Sequence, residues 1–126
     1  MIITAERTGQ VPLRFDGVCL GSGTAEVGKR RYHVSLFRTV ADEYVLTSVF
    51  SSDWERERSH HIAIVATTVD ELQAQLSTIN PIPAQVGYPL GDQYVAKQER
   101  LEADLAAAFG AAVSDAMRGG GVAQEI

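Results

Sequence analysis

The stretch from Arg31 to Phe50 constrains this fold more than any other. Tyr32, Val34 and Leu36 alternate with His33, Ser35 and Phe37. After a polar turn at Asp42 and Glu43, Tyr44, Leu46 and Phe50 alternate with Val45, Thr47 and Val49. Period-two patterning with β-branched and aromatic residues is the signature of strands, so the segment reads as one β-hairpin. Phe37, Val45 and Val49 lie opposite the Tyr32/Leu46 set, which makes both faces of the hairpin apolar. Each face therefore needs cover.

The rest of the chain supplies elements around this hairpin. Val11 to Leu20 is strand-like, and its apolar phase slips by one residue at Asp16-Gly17. Asp-Gly suits a two-residue hairpin turn, but a bulge inside one longer strand produces the same slip and avoids very short arms. Gly21 to Gly28 reads as a loose turn. His60 to Thr67 is a further strand. Thr68-Val69-Asp70-Glu71 matches a capping box, with Thr68 as N-cap and Glu71 reaching back to its amide. Val69, Leu72, Leu76 and Ile79 follow at helical spacing, and Asn80-Pro81 ends that helix. Pro81, Pro83, Pro89, Gly87 and Gly91 make residues 80–91 an extended connector. An alanine-rich helix then runs from near Asp92 to about Met117, with Leu101, Leu105, Phe109 and Val113 on its core face.

The expected fold class is α+β: an antiparallel meander of four strands, five if Asp16-Gly17 is a turn, followed by two C-terminal helices. Residues 1–118 form a single domain, and 119–126, opening with three glycines, read as a flexible C-terminal tail. At 126 residues, 45% of them hydrophobic, the chain can bury a core without disulfides or metal. The single cysteine, Cys19, cannot form an intrachain disulfide. No apolar run reaches membrane-spanning length, and the N-terminus lacks the pattern of a signal peptide. These features point to a soluble cytoplasmic domain with no membrane partner.

No motif assigns catalysis, a cofactor or a metal. Gly23 to Lys29 fits the first seven positions of a phosphate-binding P-loop, but Arg30 stands where magnesium needs a hydroxyl, and a strand follows where a helix is required. His60 and His61 point to opposite faces of a strand, and no paired-ligand spacing brings in His33. If His33 and His61 sit on neighbouring strands they could report pH. Cys19 in an apolar strand reads as a small core residue, with no oxyanion-hole or nucleophile-elbow sequence around it. Asp53, Glu55 and Glu57, interleaved with Arg56 and Arg58, read as a self-neutralising loop.

The candidate partner-binding residues are Lys29, Arg30, Arg31, Arg38, Trp54 and Tyr88. The four cations lie on or beside the first strand of the hairpin, where they either discourage edge pairing or meet an acidic partner. Trp54 either folds back onto the core or anchors a partner, and Tyr88 and Tyr94 either pack over the helix or form an aromatic surface.

With two helices able to cover only one face of the sheet, the other face suggests a homodimer. The chain thus reads as a small non-catalytic interaction or regulatory protein, homodimeric, with an unknown protein partner. One alternative is an inhibitor-like binder of nucleic acid or of a nucleoprotein complex through the basic hairpin, which the net charge of -5 disfavours. Another is a small-molecule enzyme with its pocket between sheet and connector, for which no catalytic set is present.

Overall fold

The computed structural model describes residues 1–119. Five strands form one antiparallel meander in the order β1-β2-β3-β4-β5. They are β1 (Ile2–Arg7), β2 (Gln10–Val27), β3 (Arg30–Thr39), β4 (Tyr44–Ser52) and β5 (His60–Ala66). Helix α1 (Val69–Leu76) follows; then the connector, a 3-10 turn (Asp92–Tyr94) and helix α2 (Val95–Gly119). The expected α+β class and the Arg31–Phe50 hairpin are both present, with Tyr32 opposite Phe50 and Leu36 opposite Leu46. The expected tail lies outside the described residues, except Gly119, which ends α2. No helix among the described residues is long and apolar enough to cross a membrane.

The fifth strand arises differently from the Asp16-Gly17 alternative. Residues 2–7, too short and polar to stand out, pair with the first half of β2 across a turn at Thr8-Gly9. β2 runs unbroken for 18 residues, pairing with β1 up to Asp16 and with β3 from Gly17 onward. Asp16-Gly17 is the point where β2 changes partner. Here a Cβ on residue 17 would lie 2.5 Å from the Arg38 carbonyl oxygen. The bulge sits later, at Leu20, between the Cys19 and Gly21 pairings. Val18, which suggested the earlier slip, is 58% exposed. Gly21 to Val27 is strand rather than loose turn, and the β2–β3 turn is the two-residue Gly28-Lys29, with Gly28 at φ +60°.

One face of the sheet carries the main core. Tyr32, Val34 and Leu36 from β3 and Leu46 and Phe50 from β4 are fully buried with Leu72 of α1 and Leu105 of α2. Leu105 and Phe109 are core residues, as the helix periodicity requires, and the Phe109 ring meets Tyr32 edge-on at 5.4 Å. α2 lies over β2 and β3, α1 over β5. Between them the connector closes the gap: Val86 is buried, and the Tyr32 hydroxyl donates to the Pro81 carbonyl at 2.6 Å. Thr68 caps α1 through its side chain, but Glu71 reaches back to the amide and hydroxyl of Thr67, not to Thr68. α1 ends at Leu76, earlier than Asn80-Pro81 would impose.

The second face is not bare. The β1–β2 hairpin folds over it, with Phe15 meeting Phe37 edge-on at 5.4 Å, and Val45 is 1% exposed. Thr8 donates its amide to the His61 carbonyl at 2.9 Å and accepts from the His61 amide at 2.8 Å. The sheet is thus curled into a partly open barrel whose edges meet at one end. The homodimer expectation rested on an uncovered apolar face; the β1–β2 hairpin covers part of it, burying Val45 and leaving Phe37, Val49 and Val65 half-buried.

Burial pushes the Tyr32 hydroxyl up to about 12 from 10.0. A group with a raised folded pKa contributes stability that is complete below its unfolded pKa and lost as pH rises through the folded one. Chemical denaturation between about pH 10 and pH 12 should show stability falling more steeply in the wild type than in Tyr32→Phe. At neutral pH the variant should cost about 1 kcal/mol for the lost hydrogen bond to Pro81. Equal alkaline slopes would contradict this role for Tyr32.

Candidate functional site

The candidate site lies at the end of the sheet where the β2–β3 turn, the β4–β5 loop and the connector converge. The Arg30 guanidinium makes a bidentate pair with Glu57, Nε to Oε1 at 2.8 Å and the terminal nitrogen to Oε2 at 2.6 Å. Both side chains are largely buried, at 13% and 5% exposure. Glu57 also accepts from the Ser52 hydroxyl at 2.7 Å and from the Gly87 amide at 3.4 Å. One carboxylate therefore ties together β3, the end of β4, its own loop and the connector. Burial alone would push the Glu57 carboxyl up; the Arg30, Ser52 and Gly87 donors outweigh it and hold it below the ordinary glutamate value.

Around this pair a cleft of about 700 Å³ opens, lined by Trp54, Tyr88 and Pro89 together with Glu55, Arg56 and Gln85. Trp54 does not fold back onto the core. It is 48% exposed, with the Lys29 ammonium 4.9 Å and the Arg30 guanidinium carbon 5.7 Å from its ring centre. The Ser52 hydroxyl accepts from the Trp54 amide, and Asp53 donates its amide to the Lys29 carbonyl, which fixes the loop that carries the indole. Tyr88 is 45% exposed and stacks on Tyr94 at 5.9 Å. Its amide donates to Gln98 Oε1 of α2 at 2.8 Å. Gly87 permits this approach: its φ is +122°, and a Cβ there would lie 2.0 Å from Gln98 Oε1.

Of the six candidate residues, the structure brings together Lys29, Arg30, Trp54 and Tyr88. Arg31, next to Arg30 on the strand, points to the opposite face and pairs with Asp53 at 3.0 Å. Arg38 sits at the far end of β3, pairs with Asp42 and lies over the Tyr44 ring. The four cations thus do not form one continuous basic strip. Gln98 and Gln85 were not singled out by sequence, and Glu57 reads there only as part of a self-neutralising loop, whereas its partner is Arg30. The Glu57 pairing spans 27 residues and leaves no local pattern.

The remaining chemistry-bearing residues stay apart. His33 and His61 share a face but not neighbouring strands, because Val49 of β4 lies between them. His33 bonds the Thr24 hydroxyl. Cys19 is exposed rather than a core residue. Among the described residues no group of three potential metal-ligating side chains converges. The P-loop-like segment is the end of β2 and its turn into β3, and α2 presses on Gly23. Comparison with protein-family models, curated proteins and solved structures finds no match.

Breaking a buried ion pair by removing one partner leaves the other charge uncompensated. Glu57→Gln should cost about 3 kcal/mol at neutral pH, the low end for such pairs, because Arg30 retains some contact with water. A carboxylate with a lowered folded pKa stabilises above its unfolded pKa and loses that contribution as pH falls through the folded value. The difference between wild type and Glu57→Gln in urea titrations should therefore shrink as pH drops below about 4. A neutral-pH cost under about 0.5 kcal/mol would show that the pair behaves as a surface contact.

Proposed function

We propose that this protein is a non-catalytic binding module that engages a protein partner through the Trp54–Tyr88 cleft. The observation that carries this reading is two large aromatic side chains, each about half exposed, held facing a common cleft by hydrogen bonds from three separate segments. Exposed tryptophan and tyrosine anchors of this kind dominate the energetics of protein recognition. Their loops are pre-ordered by Glu57 and Gln98, which lowers the entropy lost on binding.

The cleft is a poor match to an acid–base enzyme. General acid–base work favours a group whose pKa lies near the operating pH. Glu57, the buried carboxylate at its base, is instead locked as an anion by Arg30. The nucleic-acid alternative loses its continuous basic hairpin, since Arg31 and Arg38 are engaged elsewhere.

A photo-crosslinking amino acid placed at Arg56 or Tyr88 should give adducts with a protein partner in a lysate of the native host. The same group at Glu102, exposed on α2, should not. Adducts at Glu102 alone would contradict the assignment of the surface. Adducts with a second copy of this chain at position 88 would make the cleft a self-interface.

A further inference from the structure

Resting on that reading of the Trp54–Tyr88 cleft, we infer that its occupant is an acidic peptide segment presenting an apolar side chain. The charge distribution carries the inference. The chain as a whole is at -5, yet residues 29–31 and 53–58 hold five cations against three carboxylates. Two of these cations, Arg30 and Arg31, are already committed to Glu57 and Asp53. The surplus is carried by Lys29, Arg56 and Arg58, all exposed. Arg56 lines the cleft itself, and Lys29 stands over Trp54. A positive rim on a negative protein steers an acidic partner to this end of the molecule and away from the rest of its surface.

The walls add the second requirement. Trp54, Tyr88 and Pro89 present ring surface, and the volume of about 700 Å³ takes a few side chains. A peptide fits the mixture better than a phosphate backbone does. Glu55, which pairs with no cation among the described residues, lies in the lining beside Arg56. This carboxylate repels a strand that carries a charge at every nucleotide. A peptide can set its own carboxylates against Arg56 and Lys29 and place neutral residues beside Glu55.

The test is selection of short random peptides displayed on phage against the immobilised full chain, with Trp54→Ala as a parallel target. Enriched peptides should carry net negative charge around an aromatic or aliphatic residue. A synthesised member should shift the emission of Trp54, the only tryptophan. Its affinity should fall about tenfold or more in Arg56→Glu and in about 0.5 M salt. Unchanged unfolding midpoints of both variants would establish that the loss is local. Neutral or basic peptides whose binding still needs Trp54 would overturn the acidic occupant and leave the cleft reading intact. Enrichment indifferent to Trp54→Ala, or none at all, would overturn both. A thymidine oligonucleotide of about 15 residues that binds through Trp54, where the peptides do not, would replace the peptide with a single strand.

Discussion

The structure depends on how closely α2 can approach β2. At Gly23 a Cβ would lie 2.3 Å from the Ala112 carbonyl oxygen and 2.7 Å from Cβ of Asp115. The helix answers the strand with Ala108, Ala112 and Ala116, all buried on its inner face. Small residues on both sides let two backbones meet almost directly. That approach sets the height of α2 above the sheet and delivers Phe109 onto Tyr32. A side chain at position 23 would lift the helix, and the aromatic contact would open.

The same placement builds the candidate site. Tyr32, pressed by Phe109, reaches the Pro81 carbonyl and fixes the start of the connector, while Gln98 of α2 holds its far end at Val86 and Tyr88. The connector is thus pinned by the main core at both ends. Glu57 then fastens the β4–β5 loop to it through the Gly87 amide. Trp54 and Tyr88 stay half exposed because the segments that carry them are held by polar contacts rather than by burial of the rings. Exposed aromatics rimmed by polar residues on an ordered frame mark interaction sites, which is why the cleft is the natural place to seek a partner.

Local periodicity made the hairpin, both helices and their core faces legible, because those signals repeat within a few residues. Leu105, Phe109 and the Thr68 cap follow from such spacing. The first strand was not legible: residues 2–7 have one buried position, Ala5, and are defined by pairing with β2. Nor was the partial cover that the β1–β2 hairpin gives the second face, where Phe15 meets Phe37. At the site, Trp54 and Tyr88 stood out by residue type, and Lys29 and Arg30 by charge. Glu57 and Gln98 did not, since their partners are distant in sequence and a carboxylate among arginines reads equally well as a solvated loop. Gly23 was legible as a glycine but read as part of a loose turn. Its reason is the helix above it, 89 residues later in the chain at Ala112.

The most direct test of this account compares Gly23→Ala with Gly110→Ala by chemical denaturation. Both replace glycine with alanine, but a Cβ at Gly110 meets nothing within 4 Å. At Gly23 the methyl group should cost about 2–3 kcal/mol, because it is opposed by helix backbone that cannot rotate away. At Gly110 it should add about 0.5–1 kcal/mol through helix propensity. A Gly23→Ala protein as stable as the wild type, or more stable, would contradict the close seating of α2 on β2 from which the rest of the structure follows.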